Sequence, residues 1–147
     1  MSQENKTVMV AGGFDPIHVG HIQMILDAAT HGDVIVAVNS DDWLFRKKGY
    51  NFMGFTERRE ILMAVKGVIA VVPVNDDDGT VCTALIEHAP TYFANGGDRT
   101  SKNTPEKMVC EEMGIEMLWN MGGQKIQSSS TLVERADREK KNTQSNR

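Results

Sequence analysis

The chain has 147 residues, 40% of them apolar and 24% charged, which suits a single soluble globular domain with room for a buried core. Its formal net charge of -4 excludes the broad basic surface that sequence-independent duplex binding needs, so no nucleic-acid partner is expected, although a local basic pocket remains open. Its two cysteines, Cys82 and Cys110, lie in no metal-like spacing, no apolar run approaches a membrane span, and MSQENKTVMVAGG carries no signal pattern. The expectation is a reduced, cytoplasmic protein with no membrane partner.

Short apolar runs predict strands over Val8–Ala11, Val34–Val38, Val68–Val74, Tyr92–Ala94 and Ile115–Trp119. The first three are nearly continuous in hydrophobicity, as strands covered on both faces are. Between the runs, apolar residues recur at helical spacing over His18–Ala29, Thr56–Val65, Val81–His88 and about Thr104–Met113. In the first of these, Ile22, Ile25, Leu26 and Ala29 fall on one face. Thr56 reads as the N-cap of the second. Strand and helix in alternation predict the α/β class: a Rossmann-like, doubly wound parallel sheet of about five strands in a single domain. The domain is read as residues 1–136, with residues 137–147 a polar and disordered tail.

In such a sheet, ligands bind beyond the carboxyl ends of the strands, so the loops after the strands carry the functional reading. The first loop is Gly12-Gly13-Phe14-Asp15-Pro16-Ile17-His18-Val19-Gly20-His21. Its glycine pair permits a tight turn and close approach of a ligand. His18 and His21, three apart, share one face of a first helical turn, and Gly20 leaves space beside them. The helix start adds unpaired N–H groups and positive potential, a setting suited to phosphate. Two imidazoles donating to a phosphate held this way supply what in-line nucleotidyl transfer needs, fixed donors for the charge that builds on the α-phosphate. A zinc site is the competing reading, but His31, His88, Cys82 and Cys110 stand in no helpful register, so no protein metal ligand is assigned. Histidines that merely stabilise a turn are the plainer alternative.

GGFDPIHVGH resembles the His-x-Gly-His signature of the nucleotidylyltransferase superfamily, with the nearest likeness to glycerol-3-phosphate cytidylyltransferases and to heptose-phosphate adenylyltransferases. VIVAVNSD, Lys48-Gly49, TERREIL, FANGGD and a late serine-rich turn recur there in the same order. The resemblance implies that His18, His21 and Lys48 are catalytic. It implies that Gly12, Gly13, Phe14, Gly20, Arg58, Gly97, Asp98, Ser128, Ser129 and Ser130 bind the nucleotide, and that Asp15 and Arg99 bind the acceptor. Lys48, on a mobile basic loop, would reach the triphosphate, whereas Arg46 and Lys47 read as solvated. Arg58 either contacts the phosphates or braces the loop that carries Lys48. Asp98 would accept from a hydroxyl, and Arg99 would meet the acceptor's phosphate. The serine turn is an N-cap that also suits phosphates, its register against relatives uncertain by one residue, with Gly122, Gly123 and Gln124 as a lid. Asp76–Asp78 reads as a solvated turn.

The implied substrates are CTP or ATP and a phosphorylated sugar or polyol, with Mg2+ carried on the triphosphate as the cofactor. Two alternatives stay open: an adenylyltransferase of the nicotinate-mononucleotide or phosphopantetheine type, and a nucleotide-binding module without catalysis. His18 stands where the phosphopantetheine enzymes usually carry threonine, and the survival of both histidines and Lys48 favours an enzyme. A dinucleotide oxidoreductase is excluded because no G-x-G-x-x-G follows the first strand. Trp43, Leu44, Phe45, Tyr50, Phe52, Met53 and Phe55 crowd one loop-like stretch, which points to a homodimer interface or, alternatively, to a lid over the nucleotide.

Overall fold

The structure is a computed structural model that describes residues 6–74, 80–96 and 104–122. Five strands form one parallel sheet: β1 (Thr7–Gly12), β2 (Asp33–Val38), β3 (Val68–Pro73), β4 (Tyr92–Gly96) and β5 (Glu116–Met121). Their spatial order is β3-β2-β1-β4-β5, and every neighbouring pair is parallel. The order reverses between β1 and β4, so the crevice that such sheets offer to ligands opens beside the loop after β1. This is the expected α/β, Rossmann-like fold.

Alternation along the strands builds two cores. Val8 and Val10 of β1, Val34, Val36 and Val38 of β2, and Ala94 of β4 face one side, where Ile25 and Ala28 of helix α1 (Val19–Ala28) and Leu62 of helix α3 (Phe55–Met63) meet them. Met9, Ile35, Ala37 and Phe93 point the other way, onto Ala84 and Leu85 of α4 (Cys82–His88) and Cys110 of α5 (Thr104–Met113). Both faces of the central strands are therefore dry, which is why they read as continuous apolar runs. Burial pushes the Cys110 thiol up to about 11, so it stays an unreactive core group. Among the described residues no helix is long and apolar enough to cross a membrane.

The structure departs from the sequence reading at two helices. Residues Asp41–Lys48, expected as loop, form helix α2. Ser40 Oγ accepts from Trp43 N, Asp41 and Asp42 occupy the first turn, Arg46, Lys47 and Lys48 the last, and Gly49 closes the helix at φ 81. Those end effects stabilise a short helix that buries only Leu44 completely. Helix α3 is the second correction: its N-cap is Gly54, without a side-chain cap, rather than Thr56.

Two glycines with left-handed backbones test the packing. A Cβ on Gly67 (φ 95) would lie 2.7 Å from Ala29 Cβ, whereas one on Gly49 would meet nothing within 4 Å. Gly67→Ala should therefore cost roughly 2–3 kcal/mol in denaturant unfolding, and Gly49→Ala only the backbone cost of about 1 kcal/mol. Equal losses at the two positions would contradict this packing.

Candidate active site

The loop from Gly12 to His18 leaves β1 and enters α1 through a strained turn. Phe14 takes φ 53, a conformation that costs a non-glycine residue about 1–2 kcal/mol. Its ring offsets that cost by burial: it is 2% exposed, packs under Gly12 and lies 4.8 Å from the His21 ring. The side chain is thus a core group, leaving only the backbone of Phe14 for a nucleotide. Gly13 is tight for a second reason besides ligand approach, since a Cβ there would fall 2.8 Å from Leu44 Cδ2 of α2.

His18 and His21 cap the helix reciprocally. His18 is the N-cap, its Nδ1 accepting from Gly20 N at 3.1 Å, while the His18 N–H donates to His21 Nδ1 at 3.2 Å. The two rings stack with centroids 3.9 Å apart and an interplanar angle of 22°. An Nδ1 that accepts an N–H must carry a lone pair, so in the neutral ring the proton sits on Nε2. The cap therefore sets both histidines as Nε2–H donors. A serine or aspartate is the usual N-cap; here the capping acceptors are the imidazoles themselves.

Lys48 ends α2 and turns back to this loop. Its Nζ donates to the Asp15 carbonyl at 3.2 Å and lies 5.8 Å from the Tyr50 ring centroid. Partial burial lowers its pKa, opposed by the Asp15 carboxylate and reinforced by Lys47 and Arg58. Lys47, in contrast, is exposed and lies over the Trp43 ring at 4.6 Å. The sequence placed Lys48 on a mobile loop; it stands instead at a capped helix end, and the structure brings it to the histidine loop.

Arg58 resolves between its two readings. Its side chain is fully buried. Nε donates to Met53 O at 3.0 Å, Nη1 to Gly13 O at 2.7 Å and Asn39 O at 2.9 Å, and Nη2 to Asp41 Oδ1 at 2.6 Å. With four of its five N–H donors bonded to the protein, the guanidinium braces the loop, the second of its two sequence readings. Asp41 is its partner. Burial pulls the Asp41 carboxyl upward, but bonds from Arg58, Asn51 and the Phe55 backbone outweigh this and hold it below the ordinary carboxylate range.

Asp15 is turned inward as well. It is fully buried, and its carboxylate accepts from Phe52 N at 2.8 Å and from Met53 N. The carboxylate thus faces the chain's own backbone, where the sequence reading turned it to the acceptor. Gly20 lies in the first turn of α1, as expected. Gly97, Asp98, Arg99, Ser128, Ser129, Ser130, Gly123, Gln124, Asp76–Asp78 and residues 137–147 lie outside the described residues. Sequence reasoning missed Asp41, although its place one residue after the Ser40 cap, directly behind β2, marked it.

The cytidylyltransferase-like family model matches residues 9–139. The chain belongs to that family. Among similar proteins, bifunctional protein HldE of Hydrogenovibrio crunogenus is 32% identical over 126 residues, which are 84% of this chain and 24% of that one. Bifunctional protein HldE of Streptomyces coelicolor is 34% identical over 139 residues, 90% of this chain and 29% of that one. The chain thus spans about a quarter of the length of these relatives. A solved structure from Thermoplasma volcanium, described as a lipopolysaccharide core biosynthesis protein, superposes with a TM-score of 0.68 at 20% identity, covering 82% of this chain and 98% of that one. An Archaeoglobus fulgidus protein of unknown function gives 0.60 at 19% identity, covering 82% and 95%. At such identities these two structures speak for the fold of this cytidylyltransferase-like chain.

The reciprocal cap predicts a separable stability effect. His18→Ala should lower unfolding free energy by about 1 kcal/mol through loss of the N-cap, and His18→Asn, a good capping residue, should restore most of it. Thermal melts of the three proteins check this, and equal stability of all three would show that the imidazole is no cap.

Proposed function

We propose that this cytidylyltransferase-like protein is a nucleotidyltransferase that moves AMP or CMP from ATP or CTP to a phosphorylated sugar or polyol. The observation that carries the reading is the reciprocal cap, which presents two Nε2–H donors from one helix start with Lys48 tied to the same loop. In this reaction an oxygen of the acceptor's phosphate attacks the α-phosphorus, the bond from the α-phosphorus to the bridging oxygen breaks, and pyrophosphate leaves. His18 and His21 donate to the α-phosphate as its charge builds, the α1 amides add fixed dipoles, and the Lys48 ammonium meets the β- and γ-phosphates. No covalent enzyme intermediate is needed, since the loop supplies donors and a cation around a phosphate.

Mg2+ supplies charge neutralisation of the triphosphate when bound. The carboxylates near the loop fit a cofactor held through phosphate oxygens: those of Asp15 and Asp41 are already bonded to Phe52, Met53 and Arg58. The likeness to bifunctional HldE proteins, together with the heptose-phosphate resemblance in the signature loops, puts ATP and a sugar phosphate first among the pairs. The direct test is pyrophosphate release from ATP and CTP over a panel of phosphorylated sugars and polyols. Turnover confined to one such pair supports the reading, and no release with any pair opposes it.

Within the active pair, His18→Ala and His21→Ala should each lower kcat about a hundredfold, and His18→Asn should keep the cap without recovering turnover. Lys48→Ala should raise the KM for the triphosphate or depress kcat, while Lys47→Ala leaves both near wild type. Equal effects at Lys47 and Lys48 would reduce the basic end of α2 to a diffuse field.

The protein is further proposed to be a homodimer. The support is narrower than the sequence implied: of the aromatic cluster around α2, Leu44 is fully buried and Phe55 packs on the core, while Phe45 and Phe52 are each 62% exposed. Sedimentation at tens of micromolar should give twice the chain mass. A strict monomer, or a Phe45→Ser/Phe52→Ser variant with undiminished dimer mass, would remove this surface from consideration.

A further inference from the structure

The segment that follows α2 contributes no side chain to the proposed chemistry, yet it is held from three directions. Asp15 takes the N–H groups of Phe52 and Met53 on its two carboxylate oxygens. Arg58 takes the Met53 carbonyl, and Asp41 takes bonds from the Asn51 side chain and the Phe55 backbone. Met53 is thus held at both its N–H and its carbonyl. The grip closes on itself: Arg58 also holds Gly13 O, and Gly13 lies two residues before Asp15 in the histidine loop.

We propose that Asp15 is a positioning residue for Lys48. Two attachments from one residue fix where the ammonium stands. The Asp15 carbonyl receives Lys48 Nζ directly, and its carboxylate anchors the chain four and five residues beyond Lys48. Between them stands Gly49, with a left-handed backbone at which a Cβ would meet nothing within 4 Å. Asp15 precedes His18 by three residues, so one buried carboxylate sets the spacing between the lysine and the histidine pair. The full burial of Asp15 supports this role, because an enclosed carboxylate that accepts two amides has one geometry and little freedom to leave it. The inference rests on the transferase reading for its consequence, though its structural content does not depend on that reading.

Asp15→Asn keeps the size but replaces one acceptor oxygen by a donor, so Phe52 N or Met53 N then faces an N–H group. The experiment labels Lys48 with a limiting dose of a small acetylating reagent, read by peptide mass spectrometry with exposed Lys47 as the internal reference. In D15N the Lys48 labelling rate should rise about threefold or more while Lys47 is unchanged. In the transfer assay D15N should raise the triphosphate KM about fivefold or more, and D15N/K48A should be no worse than K48A, since the position of an absent ammonium has no effect. Should D15N fail to fold, an amide-to-ester replacement at Met53 removes a single donor from the same contact and is read in the same way. Unchanged Lys48 labelling in a folded variant, or additive effects of D15N and K48A, would overturn the proposal. A wild-type protein that transfers nothing, while Lys48 labelling still responds to Asp15, would sink the transferase reading and leave the positioning role standing.

Discussion

A guanidinium with no access to water must find a protein acceptor for its N–H groups, and at Arg58 that requirement organises the mouth of the sheet. Its bonds reach the loop after β1 at Gly13, the end of β2 at Asn39, the start of α2 at Asp41 and the segment before α3 at Met53. Four pieces of chain distant in sequence thereby share one charge. Such a centre is costly to break on one side, because removing a partner leaves a buried charge or a buried carbonyl unsatisfied. Lysine, with a point charge and no planar fork, could not serve these acceptors together.

On that frame the histidine loop takes its shape. Phe14 accepts an unfavourable backbone because its ring fills the core, and Gly13 is small because Leu44 lies against it. The same loop ends in a helix start whose capping acceptors are imidazoles. In His18 and His21 the Nδ1 lone pairs support the helix, which leaves the proton of each neutral ring on Nε2. Under the proposed transfer reaction, the turn that stabilises the helix would also supply the fixed donors a phosphate needs.

Most of the fold was legible in the sequence because the strands are buried on both faces, and Val8–Ala11 or Val34–Val38 have no other reading. The histidine loop was legible as well, since a strand, a glycine pair and two histidines three apart define it locally. Helix α2 escaped because large apolar residues suggested a patch, although Ser40, the acidic first turn, the basic last turn and Gly49 marked both ends. The bracing role of Asp15 could not be read, and that of Arg58 was legible only as one of two alternatives. Each depends on contacts far along the chain, up to 38 residues away for Asp15 and 45 for Arg58, and a buried charged residue has the same letter as a ligand-binding one. Resemblance identified these positions as significant, while geometry assigned them to bracing.

Backbone N–H groups hold both Nδ1 atoms as acceptors and leave the protons of the neutral rings on Nε2. Nitrogen-15 NMR of the imidazoles in the ligand-free protein measures this directly. In the neutral rings of both His18 and His21 the Nδ1 signal should be that of an unprotonated acceptor nitrogen and the Nε2 signal that of an N–H nitrogen. A neutral ring protonated on Nδ1 at either position would contradict it, because the reciprocal cap and the aligned donors would then both be absent.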